Sequence, residues 1–338
     1  MLQGHATLQS KRNIMNILIC GGAGYIGSHM AKMLAAHNHT VTVFDNLSTG
    51  HREAVKWGKF VQGDLLDKAD LRQLFTGDTF DAVMHFSAKS LVGESMADPG
   101  LYYRNNVTGT LNLLDVMRER EVNRFVFSSS AATFGTPVRD VIDESHPQNP
   151  INPYGETKLM VEKILRDYGQ AYGLSSVSLR YFNAAGADPD GQIGESHQPE
   201  SHLVPNVLKA VLAGNGGLKV FGDDYETKDG TCVRDYIHVN DLCTAHMQAL
   251  AYMESHKGAR GFNLGNGQGF SIFDIIQAAE RVTGKTIPFT IESRRAGDPP
   301  VLVADSSMAR QELGWQPEFV EIDGILETAW RWHRGQMF

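Results

Sequence analysis

Along the first half of the chain, short runs of β-branched and aromatic residues alternate with longer segments of helical character. Residues 16–20, 41–45, 60–62, 82–86, 125–129 and 176–181 predict buried strands. Residues 24–37, 102–120 and 153–172 predict helices between them. Strands that alternate with helices imply an α/β fold with a parallel sheet covered on both faces. Beyond Asn183 the texture changes: 184–203 is rich in Gly, Pro, Asp and Ser and reads as a loop, and later elements are shorter. This pattern predicts a large unit over 15–183, with a return near 236–265 through 237–238 and 261–264. A smaller discontinuous α/β unit, 184–235 and 266–338, then caps the first.

Composition narrows the partners. The chain has 338 residues, a net charge of −8 and a pI near 5.9, a balance that argues against nucleic acid. A phosphorylated small molecule stays compatible with it, because a few local cations suffice. Cys20, Cys232 and Cys243 show no metal-ligand spacing and read as reduced cytosolic thiols. The thirteen histidines form no His-Glu-x-x-His run, so no metal is expected. No apolar run is long enough to span a bilayer, so no membrane partner is expected. Residues 1–14 are polar and read as a non-essential extension.

The glycine-rich run Gly21-Gly22-Ala23-Gly24-Tyr25-Ile26-Gly27 follows a predicted strand and opens a predicted helix. That context suits a dinucleotide pyrophosphate: glycines allow a tight turn and close backbone approach, and the helix N-terminus favours the anion. Asp45 ends the second strand, about 20 residues on, where a carboxylate can accept from both ribose hydroxyls. It would repel a 2′-phosphate, which favours NAD over NADP. The unit is thus Rossmann-type and doubly wound. A lone glycine motif could equally be an ordinary turn; the strand, the helix and the acidic residue together carry the reading.

Tyr154 and Lys158 stand at i and i+4 of the third predicted helix, on one face. A free phenol titrates near ~10. A neighbouring ammonium and a positive nicotinamide ring favour the phenolate, which can act as general base toward a sugar hydroxyl. Ser130 follows a buried strand at its carboxyl end, where it could hydrogen-bond the reacting oxygen. Each feature alone has a plainer reading, an exposed helix face or a Ser-rich turn.

Taken with GGAGYIGSH, DNLSTG, NNVTGTLNLL, FSSSA, PYGETKLMVE, LRYFNAAGA, DGTCVRDYIHV and RRAGD, these residues resemble the extended short-chain dehydrogenase/reductase family. Within it, the chain is similar to the nucleotide-sugar 4-epimerases that act on UDP-glucose and UDP-galactose, from Met15 to about Trp332. The resemblance implies a UDP-hexose substrate, bound NAD, oxidation at C4, rotation of the keto sugar and re-reduction, in a homodimer. It implies cofactor contacts from Gly21, Gly24, Tyr25, Ile26 and Gly27, and from Asp45, Asn46, Leu47, Ser48, Thr49 and Gly50. Asp64 and Leu65 match the adenine site, and Phe86, Ser87, Ala88, Lys89 and Ser90 the loop beside the pyrophosphate. Asn105, Lys158, Tyr181 and Phe182 match further cofactor contacts, with Ser130, Tyr154 and Lys158 catalytic. For the substrate it implies Ser130, Tyr154, Asn183, His202, Leu203, Lys219, Val220, Phe221, Arg234, Arg295, Asp298 and Leu302. Paired arginines suit a diphosphate, since guanidinium binds phosphate bidentately.

Some positions depart from the family pattern. Phe134 replaces a common Tyr, and Leu302, intermediate in size, leaves acceptance of N-acetylated sugars open. Ala131 and Ala132 stand where 4,6-dehydratases carry Asp-Glu, which argues against dehydration. Epimerases of UDP-glucuronate or UDP-xylose share most of these motifs. A non-catalytic NAD-sensing regulator would tend to lose Tyr154 or Lys158, and both are present.

Overall fold

The computed structural model describes residues 14–214, 217–294, 299–335 and 338; the expected extension lies outside them except for Ile14. Seven strands form the large sheet: β1 (Asn16–Cys20), β2 (Thr40–Asp45), β3 (Lys59–Gln62), β4 (Ala82–His85), β5 (Arg124–Ser130), β6 (Ser175–Tyr181) and β7 (Ala259–Leu264). All are parallel, in the order β7-β6-β5-β4-β1-β2-β3. The order reverses between β1 and β4, which opens a crevice at the carboxyl ends of the strands.

The apolar runs of the central strands follow from burial on both faces. Ile17 and Ile19 of β1 face one core, Leu18 and Cys20 the other, as the two-residue period of a strand requires. Helices Tyr25–Ala36 and Val239–Ser255 cover the first face, through Met30, Leu34, Leu242, Ala249 and Met253. Helices Lys68–Gly77, Gly109–Glu119 and Pro153–Tyr172 cover the second, through Leu71, Leu113, Met117, Val161 and Leu165. The third core is local to the C-terminal part, where Leu203–Ala213, Ile272–Thr283 and Ile322–Arg334 pack together.

Two expectations need correction. The long helix over 102–120 is broken: Pro99–Tyr102 runs into a π-helical stretch, Tyr103–Thr108, before Gly109–Glu119 continues. π-Bulges cluster at functional sites, and this one carries Asn105 and Asn106. Residues 237–238 do not rejoin the large sheet. Val233–His238 pairs instead with Asn183–Ala185, Gly269–Ser271 and Val301–Ala304 in a smaller sheet. The edge beside β6 is taken by Ala259–Leu264, so Val233–His238 aligns with the short continuation of β6 beyond Phe182. Buried Asp235 holds this junction by accepting from the backbone of Asn266, Gly267 and Ala304 at 2.8–3.1 Å.

Candidate active site

A cavity of about 510 Å³ lies at the carboxyl ends of the strands, at the point where the sheet order reverses. Its floor is the glycine turn between β1 and the first helix. Gly21 has φ +82°, and a Cβ there would stand 2.5 Å from the Ser87 nitrogen. At Gly27 a Cβ would meet the Gly21 carbonyl oxygen at 2.2 Å, so this glycine closes the helix against the turn. Gly24 differs: its nearest neighbour would be the Gly21 oxygen at 3.4 Å, and it lines the cavity. The protein's own packing leaves room for a side chain at Gly24, yet a methyl-free backbone is present where a helix N-terminus opens. That fits close approach of a pyrophosphate.

Asp45 holds its carboxylate at the cavity wall by accepting from Ala23 N at 3.0 Å and Leu47 N at 2.8 Å. Burial raises its pKa, and the two backbone bonds pull the other way. Asn46 donates to Asp64 at 3.0 Å, which ties the second strand's loop to the third's. Gly21, Tyr25, Ile26, Ser48, Thr49, Gly50 and Leu65 also line the cavity, as do Phe86 to Ser90 and Asn105. Leu47 does not; its contribution is the N–H that holds Asp45.

The helix Pro153–Tyr172 begins as the sequence predicts, with Pro at its first position and Asn152 accepting from Gly155 N at 2.9 Å. A Cβ at Gly155 would lie 2.3 Å from Ala132 O, so glycine lets this helix pack onto the turn that carries Ser130. Tyr154, Lys158 and Ser130 thereby meet in the cavity. Burial raises the Tyr154 phenol above its usual range, and a hydrogen bond from the Ser130 hydroxyl lowers it. The expected help from Lys158 is not the dominant influence here. The Lys158 ammonium donates to Ser128 O at 2.8 Å and lies 5.8 Å from the Tyr154 ring centroid. Burial lowers Lys158 to about 7, against the opposing charge of Glu162.

Asn106 is a positioning residue that sequence reasoning missed. Its amide accepts from Lys89 N at 2.9 Å, and donates to Lys89 O and to Thr157 Oγ1, both at 3.0 Å. It thus couples the 86–90 loop to the helix of Tyr154. The signal was adjacent, in the paired Asn105-Asn106.

Tyr181, Phe182, Asn183, His202, Arg234 and Leu302 line the opposite wall. Leu203, Lys219, Val220 and Phe221 do not. Val220 is buried in the third core and Lys219 pairs with Glu292 at 3.3 Å, because 218–221 forms a two-stranded ribbon with 289–292. Arg295 and Asp298 lie outside the described residues. Glu195 and His197 line the cavity beside His202, although no metal or site role was expected of them. Their signal was the run Glu195-x-His197-x-x-Glu200-x-His202.

Comparison with known proteins agrees with this geometry. Residues 17–265 match the model of the NAD dependent epimerase/dehydratase family. The UDP-glucose 4-epimerase of Lacticaseibacillus casei is 51% identical over 320 residues, covering 94% of this chain and 97% of that one. A crystal structure of UDP-glucose 4-epimerase from Brucella ovis in complex with NAD superposes with a TM-score of 0.90 at 51% identity. It covers 93% of this chain and 97% of its own. The enzyme from Bifidobacterium longum, in complex with NAD+ and UDP, gives a TM-score of 0.90 at 38% identity, over 94% of this chain and 98% of its own. The chain therefore belongs to the NAD-dependent epimerase/dehydratase family.

Proposed function

We propose that this protein interconverts UDP-glucose and UDP-galactose by transient oxidation at C4, with NAD bound at the glycine turn and Asp45. The observation that carries the reading is the meeting of Tyr154, Ser130 and Lys158 in the cavity floored by Gly21, Gly24 and Gly27. Identity near one half to proteins of that activity supports it.

Bound NAD+ supplies hydride acceptance at C4 and its return. The chain's own residues do the rest. Tyr154 takes the proton of the 4-hydroxyl, and Ser130, which lines the cavity with it, hydrogen-bonds the reacting oxygen. Lys158, buried and with its pKa lowered to about 7, orients on the Ser128 carbonyl. It is poised to hydrogen-bond the cofactor ribose and to carry charge when a phenolate forms. Arg234 and Asn183 hold the diphosphate, leaving the sugar free to present its other face. Binding energy at the remote UDP then retains the ketone intermediate through the turn.

In the same reading, residues 15–183 with the helix Val239–Ser255 and the strand Ala259–Leu264 serve the cofactor, and 184–238 with 266–338 serve the UDP-sugar. A cytoplasmic homodimer fits: Met96 and Met160 are exposed on two helices that pack together, Val92–Ala97 and Pro153–Tyr172. No helix among the described residues is long and apolar enough to cross a membrane.

The test is purified protein with UDP-galactose and no added cofactor, followed by NMR. Conversion to the gluco epimer is the expected result. Absence of conversion even with added NAD+ would end the hexose reading.

A further inference from the structure

The loop that lines the cavity beside Tyr25 gathers four metal-ligating side chains. Glu195, His197, Glu200 and His202 bring one ligand atom each to within 4.8 Å of all the others. The His202 Nδ1 lies 2.9 Å from Glu195 Oε1 and 3.0 Å from Glu200 Oε1. The His197 Nδ1 lies 3.2 Å from the same Glu195 oxygen and 3.9 Å from Glu200 Oε2. Four ligands at the usual Zn–N and Zn–O lengths in a tetrahedron stand about 3.3–3.5 Å apart. About Glu195 Oε1 the two imidazole edges, 2.9 and 3.2 Å, lie a little below that spacing, and no two ligand atoms of the four residues stand more than 4.8 Å apart.

The hydrogen bonding inside the cluster is incomplete. The Glu200 side chain is only 5% exposed, yet its Oε2 accepts no hydrogen bond; the Lys209 ammonium approaches it at 3.8 Å and His197 Nδ1 at 3.9 Å. Glu200 Oε2 and His197 Nδ1 face each other across the cluster. Buried polar atoms ordinarily find partners, and a carboxylate oxygen left without a hydrogen bond while it faces an imidazole nitrogen marks a place for a further partner.

The surroundings hold the ligands in place independently of any ion. Trp332 Nε1 donates to Glu195 O at 3.0 Å, and Gly194 abuts the Trp332 ring so closely that a Cβ would meet it at 2.3 Å. Glu200 Oε1 also accepts from Ser201 N and His202 N, both at 2.9 Å. His202 stands at the start of the helix Leu203–Ala213. The ring of Tyr25, from the glycine turn, meets His197 edge-on at 6.5 Å.

We infer that Glu195, His197, Glu200 and His202 form a tetrahedral site for a divalent transition-metal ion of the zinc class, which staples the 195–202 loop to the following helix at the cavity's edge. The mixed N/O ligand set suits zinc, and oxygen-preferring magnesium or calcium less well. This inference does not depend on the sugar that the enzyme turns over.

The experiment uses full-length protein stripped with a chelator and titrated with Co2+, then competed with Zn2+. One equivalent per chain with the intense visible bands of tetrahedral cobalt, displaced by one equivalent of Zn2+, is expected. The conservative Glu200→Gln and the smaller His197→Ala should each weaken binding at least tenfold, with far-ultraviolet circular dichroism confirming that both fold. Zinc should raise the Tm of the unsubstituted protein and of neither variant. No stoichiometric binding to the unsubstituted protein, or equal binding by the folded variants, overturns the site.

Discussion

The two walls of the cavity are built by different means. On the cofactor side, the wall is anchored by residues at or just past the carboxyl ends of strands in one sheet: Gly21 after β1, Asp45 at the end of β2, Phe86 after β4, Ser130 at the end of β5. Their spacing follows from the 4.8 Å repeat of paired strands, so they move only if the core moves. On the other side, Asn183, Glu195, His197, His202, Arg234, Pro299 and Leu302 come from loops and a smaller sheet. Those segments are held by particular contacts, Asp235 under three backbone amides and Trp332 on Glu195. A rigid wall suits a cofactor that is held through the reaction. A wall of separately anchored loops can bind UDP firmly while giving the hexose room to turn.

The largest effect should come from the rigid side. Tyr154→Phe removes the proton acceptor alone, so turnover should fall by roughly 10²–10⁴, while NAD released on denaturation stays near one per chain. Unchanged turnover would remove Tyr154 from the chemistry.

Next come two glycines of one turn that should part company. Gly27→Ala drives a methyl into the Gly21 carbonyl and should cost on the order of 4 kcal/mol of stability or more. Gly24→Ala meets nothing closer than 3.4 Å and should keep the Tm of the cofactor-free protein while losing NAD affinity. Equal Tm losses in the two variants would show that Gly24, too, serves the fold.

A third test uses pH against the sheet side. His29 and His246 are held down to about 4, and His85 and His238 to about 3, chiefly by burial. Unfolding lets each bind a proton below about 6.5, so stability is fully present above that pH and falls as pH drops toward 4. Each can cost up to ~2 kcal/mol between pH 6.5 and 5. Asp235, raised to about 6 by burial, opposes them by one proton. The Tm should therefore fall by several degrees from pH 7.5 to 5, and a flat profile would contradict the neutral buried imidazoles.

The smallest effects belong to the loop side. Leu302→Tyr should lower activity on UDP-GlcNAc more than on UDP-galactose, since Leu302 lines the cavity; equal losses would free it of any role in pocket width. Lys219→Ala should leave the KM for UDP-galactose within about threefold, because its ammonium pairs with Glu292 on a ribbon away from the lining. A tenfold rise would return that ribbon to the substrate site.

How much could be read in advance follows the same division. Gly21, Asp45, Ser130, Tyr154 and Lys158 were legible because each sits at a stated offset from a strand or within one helical turn. Leu203, Lys219, Val220 and Phe221 were carried over by resemblance, and none of them lines the cavity. Asn106 escaped because a buried amide that bridges residues 89 and 157 has no periodic signature. Glu195, His197 and Glu200 were passed over, and His202 was read only as a substrate contact, because their spacing matches no familiar metal run, although the loop folds them together.

By itself, the sequence determined the α/β class, the strands of the first half, the dinucleotide turn and the Tyr-Lys pair, because these rest on interactions within a few residues or on the two periods of the backbone; the long helices Val239–Ser255, Ile272–Thr283 and Ile322–Arg334 were not foreseen. The tertiary structure alone decided that Val233–His238 leaves the large sheet, that a π-helical stretch interrupts 103–108, and that Lys158 rests on Ser128. It also decided which side chains of the second wall face inward. Those outcomes depend on competition for sheet edges and for buried partners far apart in the chain, and no local pattern encodes that competition.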